Sequence, residues 1–353
     1  MRVGVIGCGN ISGIYLQNMK TFEWLEVYAC ADLLREKAEE QAKKYGVPKV
    51  YTPEELFADK SIEIVLNLTI PAMHAQVALA ALKSGKHVYS EKPLGINKKE
   101  AYKVIEMARK KGLRVGNAPD TFMGAGLQAC RKIMDDGLIG KPIGGVAFMV
   151  GHGMETWHPN PEFYYQVGGG PMFDMGPYYI TALVSLLGPA ARVAGSTAIT
   201  FSERLITSEP KKGQIIKVKT PTHITGIIDF VNGAKVTMIM SFDVWGASLP
   251  CMEIFGTEGS MSLPDPNTFS GPIKMYKPGF ETWKDMPVTL KYSENSRGLG
   301  VADMAKAIME KRSHRATGDM GYHVVEIMQS FAESSKSGKH IKIKSTCEKP
   351  QAM

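Results

Sequence analysis

Gly7-Cys8-Gly9-Asn10-Ile11-Ser12 follows the apolar run Arg2–Ile6 and precedes a stretch whose apolar residues Ile11, Ile14, Tyr15 and Met19 fall at helical spacing. A glycine in the first place lets the chain turn sharply. One in the second lets the backbone approach a pyrophosphate held at the N-terminus of the helix, where unpaired N–H groups face the anion. The third place holds Ser12, a small residue, with Gly13 behind it. Asp32 closes the next apolar run, about 20 residues past the turn, where an acidic side chain accepts hydrogen bonds from the adenosine ribose and repels a 2′-phosphate. A bare glycine turn with a helix-capping Asp is the plainer alternative, and the turn's placement together with the strand-end acid weighs against it. These residues predict a bound dinucleotide, NAD in preference to NADP, with Gly7, Gly9, Asn10, Ile11, Ser12 and Asp32 around it. Arg35 is the residue that would admit NADP.

Three more clusters lie where strands give way to helices. Asn67-Leu-Thr69-Ile-Pro71 with His74 closes one strand and opens a helix, Glu91-Lys92-Pro93 follows the next strand, and Gly168-Gly-Gly-Pro-Met-Phe-Asp174-Met-Gly176-Pro-Tyr178 leads into an apolar helix. Trp157-His158-Pro159 stands just before that glycine run. There an indole can stack on the C–H face of a sugar while an imidazole reads or relays a hydroxyl proton; a loop histidine bonded to backbone is the equal alternative for His158. His152 and His323 read as structural. No His, Cys, Asp or Glu spacing matches a metal site, and none is expected.

The elements that must position these residues are legible in outline. Over the first 120 residues strand and helix signals alternate. Strands are expected at Arg2–Ile6, 25–31, 62–68, His87–Ser90 and 113–116, and helices at 10–20, 34–45, 72–84 and 97–111. Thr52-Pro53-Glu54-Glu55 is a capping box and Gly46 a C-terminal helix stop. Such repetition predicts a parallel sheet wound by right-handed crossovers, a Rossmann-type doubly wound domain over residues 1–120. Beyond it the pattern becomes a helix at 126–136, a helix at 177–187 and several strands of period two, with a hairpin turn at Val231-Asn-Gly-Ala234. Two more helices, near 301–310 and 322–335, close the chain. Residues 121–353 are therefore expected to form an α+β domain on an open, mainly antiparallel sheet.

Composition sets outer bounds. The 353 residues are 44% hydrophobic and 22% charged, and 42 Lys+Arg against 35 Asp+Glu give a net charge of +7. The positive charge is dispersed without interleaved aromatics, which argues against a nucleic-acid partner. No apolar run reaches the ~20 residues that span a bilayer. The five scattered cysteines fit neither a disulfide framework nor a zinc site. A soluble cytoplasmic protein is expected.

In this order the motifs resemble the Gfo/Idh/MocA family, the glucose–fructose oxidoreductase and inositol dehydrogenase group, over nearly the whole chain. The resemblance implies oxidation of a secondary alcohol of a sugar or cyclitol, or the reverse reduction, by a bound nicotinamide cofactor. It also implies a homodimer or homotetramer formed through the second-domain sheet. Thr69, Pro71, His74, Glu91 and Lys92 would lie at the cofactor, and Lys92 at the reaction centre, preceding a Lys-Pro bond that is often cis. A carbinol gives up hydride only as its hydroxyl loses a proton, and a lysine beside the nicotinamide can share that proton. The family pattern Asp-x-Gly-x-His is matched by Asp174 and Gly176, but Tyr178 stands in the histidine's place. A phenol of ordinary pKa ~10 needs a nearby cation to act as a base, so Tyr178 is either a relay tuned by Lys92 or a hydroxyl donor to substrate. Two other functions remain open: a redox-neutral NAD-dependent glycosidase or lyase acting by transient oxidation and elimination, and a non-catalytic dinucleotide-sensing regulator, against which Lys92 speaks.

Overall fold

A computed structural model describes residues 1–353. They divide into two compact units: residues 1–124 with 292–325 and Met353, and residues 125–291 with 326–352.

The first unit is built on six strands: β1 Arg2–Ile6, β2 Glu26–Ala31, β3 Lys49–Tyr51, β4 Ile64–Asn67, β5 His87–Ser90 and β6 Val115–Asn117. They lie in the order β3-β2-β1-β4-β5-β6, and every pairing is parallel. Helices α1 Ser12–Met19, α2 Arg35–Tyr45, α3 Pro53–Ala58, α4 His74–Lys83 and α5 Lys98–Lys111 form the crossovers. Ile64, Val65 and Leu66 of β4 are fully buried, as a strand covered on both faces requires. Each such side chain contributes about 1.5–3 kcal/mol by leaving water.

Local chemistry sets the boundaries. Thr52 and Glu55 close a reciprocal capping box on α3. The Asn97 side chain accepts the Glu100 N–H at the start of α5, and Gly46 ends α2 in the left-handed conformation, φ 59°. α1 begins at Ser12, two residues later than its apolar spacing indicates, because residues 7–11 are taken up by the turn.

The division expected at residue 120 leaves out residues 292–325, which return to the first unit. There α9, Leu299–Met309, packs on α1 and β6, and Thr317 bridges Gly116 on the outer side of β6. The apolar stripe of α9 carries no sign of which sheet it will cover, so chain order alone misplaces it.

The second unit holds α6 Ala125–Asp135, β7 Pro142–Val150, α7 Gly170–Asp174, α8 Gly176–Leu187 and strands β8 Ala190–Ala198, β9 Glu203–Leu205, β10 Ile215–Lys217, β11 His223–Phe230, β12 Lys235–Ser241, β13 Met252–Gly256, β14 Ser260–Leu263, β15 Ile273–Tyr276 and β16 Lys284–Met286. Helix α10, Gly318–Ser337, contains the later boundary between units, and β17, Ile341–Lys342, follows it. Nine strands form an open sheet ordered β16-β15-β14-β13-β7-β12-β11-β8-β17. It is antiparallel except where β12 runs parallel to β7. Gly233, at φ 96°, makes the turn between β11 and β12. Every residue of α8 is buried, the mark of a core helix. The short pair β9–β10 forms a separate sheet and leaves no periodic signature in the sequence.

Candidate active site

The glycine turn is held by its own backbone. Gly7, at φ 98°, donates to Ala31 O at 2.9 Å. A Cβ there would stand 2.6 Å from the carbonyl carbon of Leu68, whereas one on Gly9 would meet nothing within 4 Å. The backbone at Gly9 is thus open to an approaching group, as a pyrophosphate requires. Ser12 Oγ donates to Gly9 O at 2.7 Å, and its full burial explains why a small residue stands in the third place. Asp32 receives the N–H of Cys8 at 2.7 Å and that of Leu34 at 2.9 Å. The acid that would meet the ribose therefore also shapes the turn. Arg35 is drawn to Glu39 on its own helix at 2.9 Å. Two large apolar side chains near these strand ends are exposed, Leu33 at 89% and Ile70 at 67%. NAD fits this arrangement, with the turn for its phosphates and Asp32 for its ribose.

The ends of β4, β5 and β6 are tied to one another by side chains. Asn67 donates to His74 O at 3.0 Å and Ser90 Oγ at 3.2 Å, and accepts Thr69 Oγ1 at 2.7 Å. His74, 1% exposed, sets one ring nitrogen 2.7 Å from Pro93 O and the other 2.8 Å from Thr69 O. Burial lowers its pKa, and a neutral ring donates to one of these carbonyls at a time. His74, expected at the cofactor, clamps the loop after β4 to the loop after β5. Glu91 likewise faces inward. Its carboxylate accepts Tyr15 Oη at 2.7 Å and the N–H of Lys92 at 2.8 Å, fixing the Lys92 loop to α1. Asn117 donates to the carbonyls of Ser90 and Glu91 at 3.0 and 3.2 Å. The half-buried Lys92 precedes a cis bond to Pro93. Just past β6, the buried Asp120 accepts the N–H groups of Gly298 and Gly300, both at 2.9 Å, and burial pushes its carboxyl up to about 6.

In the second unit, Asp174 ends α7 and Tyr178 lies in the first turn of α8. The glycines before them are required. A Cβ on Gly169 would lie 2.6 Å from Phe163 O, and one on Gly170, at φ 80°, 2.8 Å from Pro221 O. Tyr178 is 8% exposed. His158 accepts the Asn160 N–H on Nδ1 at 3.0 Å, with the rings of Trp157, Phe163 and Tyr164 edge-on around it at 5.3–5.6 Å. His152 stacks on Trp245.

The segment bearing these rings is anchored by a buried charge network that sequence reasoning did not find. Arg204, on β9, donates to Glu155 at 2.9 Å, pairs with Asp243 and reaches Phe242 O at 3.0 Å. Glu155 also accepts the Tyr165 hydroxyl, and Asp243 that of Thr222 at 2.8 Å. All three charged residues are 5–6% exposed at the side chain. The partners lie 49 and 39 positions apart in the chain, with no local motif to announce them.

Residues 1–118 match the model of an oxidoreductase family with an NAD-binding Rossmann fold, and residues 127–262 match the GFO/IDH/MocA C-terminal domain. A myo-inositol 2-dehydrogenase of Thermotoga maritima is 30% identical over 249 residues, covering 70% of this chain and 73% of that protein. The chain belongs to the Gfo/Idh/MocA family. It is an NAD-binding oxidoreductase. A trans-1,2-dihydrobenzene-1,2-diol dehydrogenase of Xenopus tropicalis is 25% identical over 87% of this chain and 88% of that one. Among solved structures, levoglucosan dehydrogenase in complex with NADH and levoglucosan superposes with a TM-score of 0.81 at 20% identity, covering 98% of this chain and all (100%) of that one. That likeness confirms the family fold. No helix is long and apolar enough to cross a membrane.

Proposed function

We propose that this oxidoreductase moves a hydride between NAD and a secondary alcohol, or the matching ketone, of a sugar or cyclitol, with Lys92 in the proton relay. The observation that carries this reading is the locking of the Lys92 loop. His74, Tyr15 and Asn117 fix it by side-chain hydrogen bonds and Asn67 accepts the Glu91 N–H on its carbonyl, beside strand ends whose glycine turn is open to a dinucleotide. A group that must meet a reacting hydroxyl within hydrogen-bond reach needs such fixing. The relatives named for inositol and a cyclic diol favour a ring alcohol as substrate. When bound, NAD supplies the hydride acceptor. Lys92 takes the hydroxyl proton as the carbinol is oxidised and returns it in the reverse direction. Asp174 and Tyr178 are assigned to substrate hydroxyls, Tyr178 either relaying the proton onward or donating a hydrogen bond.

A panel of sugars and cyclitols with NAD and NADP, following both NADH and product, tests this reading. Turnover with net NADH formation and preference for NAD is expected. Product without net NADH would replace it with transient oxidation and elimination. Lys92→Ala should lower turnover about 10²–10⁴-fold with NAD affinity little changed. Tyr178→Phe deletes only a hydroxyl: a fall in turnover with an altered alkaline limb marks a relay, a raised KM alone marks a binding donor. If Tyr178→Phe is silent while His158→Ala abolishes turnover, His158 is the acid/base.

The outer face of the nine-stranded sheet is assigned to contact between copies. Ile227 lies opposite Thr237 and Ala194, and Ile239 opposite Thr225 and Phe148, so one continuous face carries branched apolar side chains, with Ile227 43% exposed. A dimer or tetramer by light scattering is expected, and a clean monomer at micromolar concentration overturns it.

A further inference from the structure

We propose that the first unit carries an anion site, away from the glycine turn, that takes a small phosphate-bearing molecule. A cavity of about 350 Å³ opens between the second half of α5, the start of β6 and the segment leading into α10. Its lining includes Arg109, Arg114, Lys311, Arg312, His314 and Asp319. That is on the order of ten times the volume a water occupies in the liquid, within the range of ligand pockets.

The charges in this lining do not balance. Asp319 is its one carboxylate, and it is spent on Arg109 at 2.7 Å. Arg312 is answered from behind by Asp303 and Glu310 at 2.9 and 2.8 Å. His314, 8% exposed, has Nε2 3.1 Å from Val115 O. Burial, with Arg114 and Arg312 beside it, pushes its pKa down to about 4, so it is a neutral wall at physiological pH. Arg114 and Lys311 are left. Arg114 binds the carbonyl of Arg312 through one guanidinium nitrogen and has no carboxylate within ion-pair distance. Burial and the neighbouring Arg312 guanidinium lower its pKa, against a smaller pull from the Asp303 carboxylate beyond ion-pair distance. Lys311 is exposed on a turn at φ 55°, an uncommon conformation for a residue with a side chain.

Two cations left without carboxylates around a roomy concavity, one of them partly desolvated against a like charge, form a site for a dianion. A guanidinium presents the fork that fits a phosphoryl group, and the lysine adds a point charge. The hydroxyls of Ser313 and Thr317 lie in the same lining. The volume exceeds that of inorganic phosphate, so the class is a phosphate ester with a body of a few carbons. Occupancy would bear on the reaction through β6. His314 and Ala316 bond its Val115 and Asn117 backbone, and Asn117 holds the carbonyl of Glu91.

The test uses the full chain saturated with NAD, so that the glycine turn is already filled, titrated by calorimetry with inorganic phosphate and with glycerol 3-phosphate. Saturable binding of both, tighter for the ester, is expected. Arg114→Gln and Lys311→Gln should each weaken it at least tenfold and abolish the rise in melting temperature that phosphate produces, with NAD affinity unchanged. Lys311 is exposed, so its variant carries the test if Arg114→Gln does not fold. The absence of saturable binding, or variants that bind as the unchanged chain does, would overturn the proposal.

Discussion

The glycine turn at residues 7–12 and the aromatic segment at residues 151–169 present chemistry in opposite ways. The turn is held from within its own βαβ unit: Ser12 to Gly9, Ala31 and Asp32 across one crossover to Gly7 and Cys8, and Asp32 to Leu34 two positions on. The aromatic segment has little regular structure beyond one short 3₁₀ turn. It is fixed by charges from distant strands, Arg204 against Glu155 and Asp243. The contrast teaches that a ligand read by backbone N–H groups needs only glycines and a helix start, while a ligand read by side chains on a loop needs a buried scaffold brought from elsewhere in the chain.

Breaking the scaffold should have the largest effect. Arg204→Met leaves the buried carboxylates of Glu155 and Asp243 without their cation, at a cost of about 3–5 kcal/mol. Urea denaturation should show the loss, and the triple change with Glu155→Gln and Asp243→Asn should recover much of it. A loss under about 1 kcal/mol would mean that the segment is held by the apolar cluster of Tyr165, Ile206, Ile216, Val218 and Phe242 instead.

The two glycines of the turn sharpen the other side. Gly7→Ala forces a Cβ onto the Leu68 backbone at a strained φ and should cost about 1–3 kcal/mol of stability together with NAD binding. Gly9→Ala meets open space, so it should leave stability within about 0.5 kcal/mol and weaken NAD alone. Equal loss of stability in both would refute the division between a structural and a ligand-facing glycine.

The smallest effect belongs to Asp120. Its carboxyl sits near 6 in the folded chain against an ordinary 3.8, raised chiefly by burial. The folded state therefore holds the proton more tightly, and this group's contribution is fully present below about pH 4 and lost as pH rises through 6. Asp120→Asn keeps an acceptor for Gly298 and Gly300 and should flatten the stability–pH curve between pH 4 and 7. An unchanged slope would exclude Asp120 as its source.

What was legible follows the same line. The capping residues Thr52 and Asn97, the stop at Gly46 and the hairpin at Gly233 are decided by neighbours a few positions away, and each could be read; the turn at Gly7 is readable from its glycine spacing, although its fit depends on Ala31 and Leu68. Lys92, Asp174 and Tyr178 stand out in the sequence only through the order of the motifs that hold them. The clamp that His74 makes on Pro93 spans 19 positions, a distance over which chain periodicity carries no information. The β9–β10 pair, the Arg204 network and the cavity at Arg114 are products of tertiary contact.

The return of residues 292–325 to the first unit has a consequence for how the protein comes into being. When a ribosome has finished β6, the nucleotide-binding sheet still lacks α9, the strap at Thr317 on its edge and the two glycine N–H groups that donate to Asp120. A buried carboxylate and an open parallel edge must wait through the synthesis of nearly two hundred residues before their partners exist. The unit that comes first in the sequence is thus not the first that can be finished, and the second unit's main sheet, contained in the intervening stretch apart from β17, emerges before it is closed.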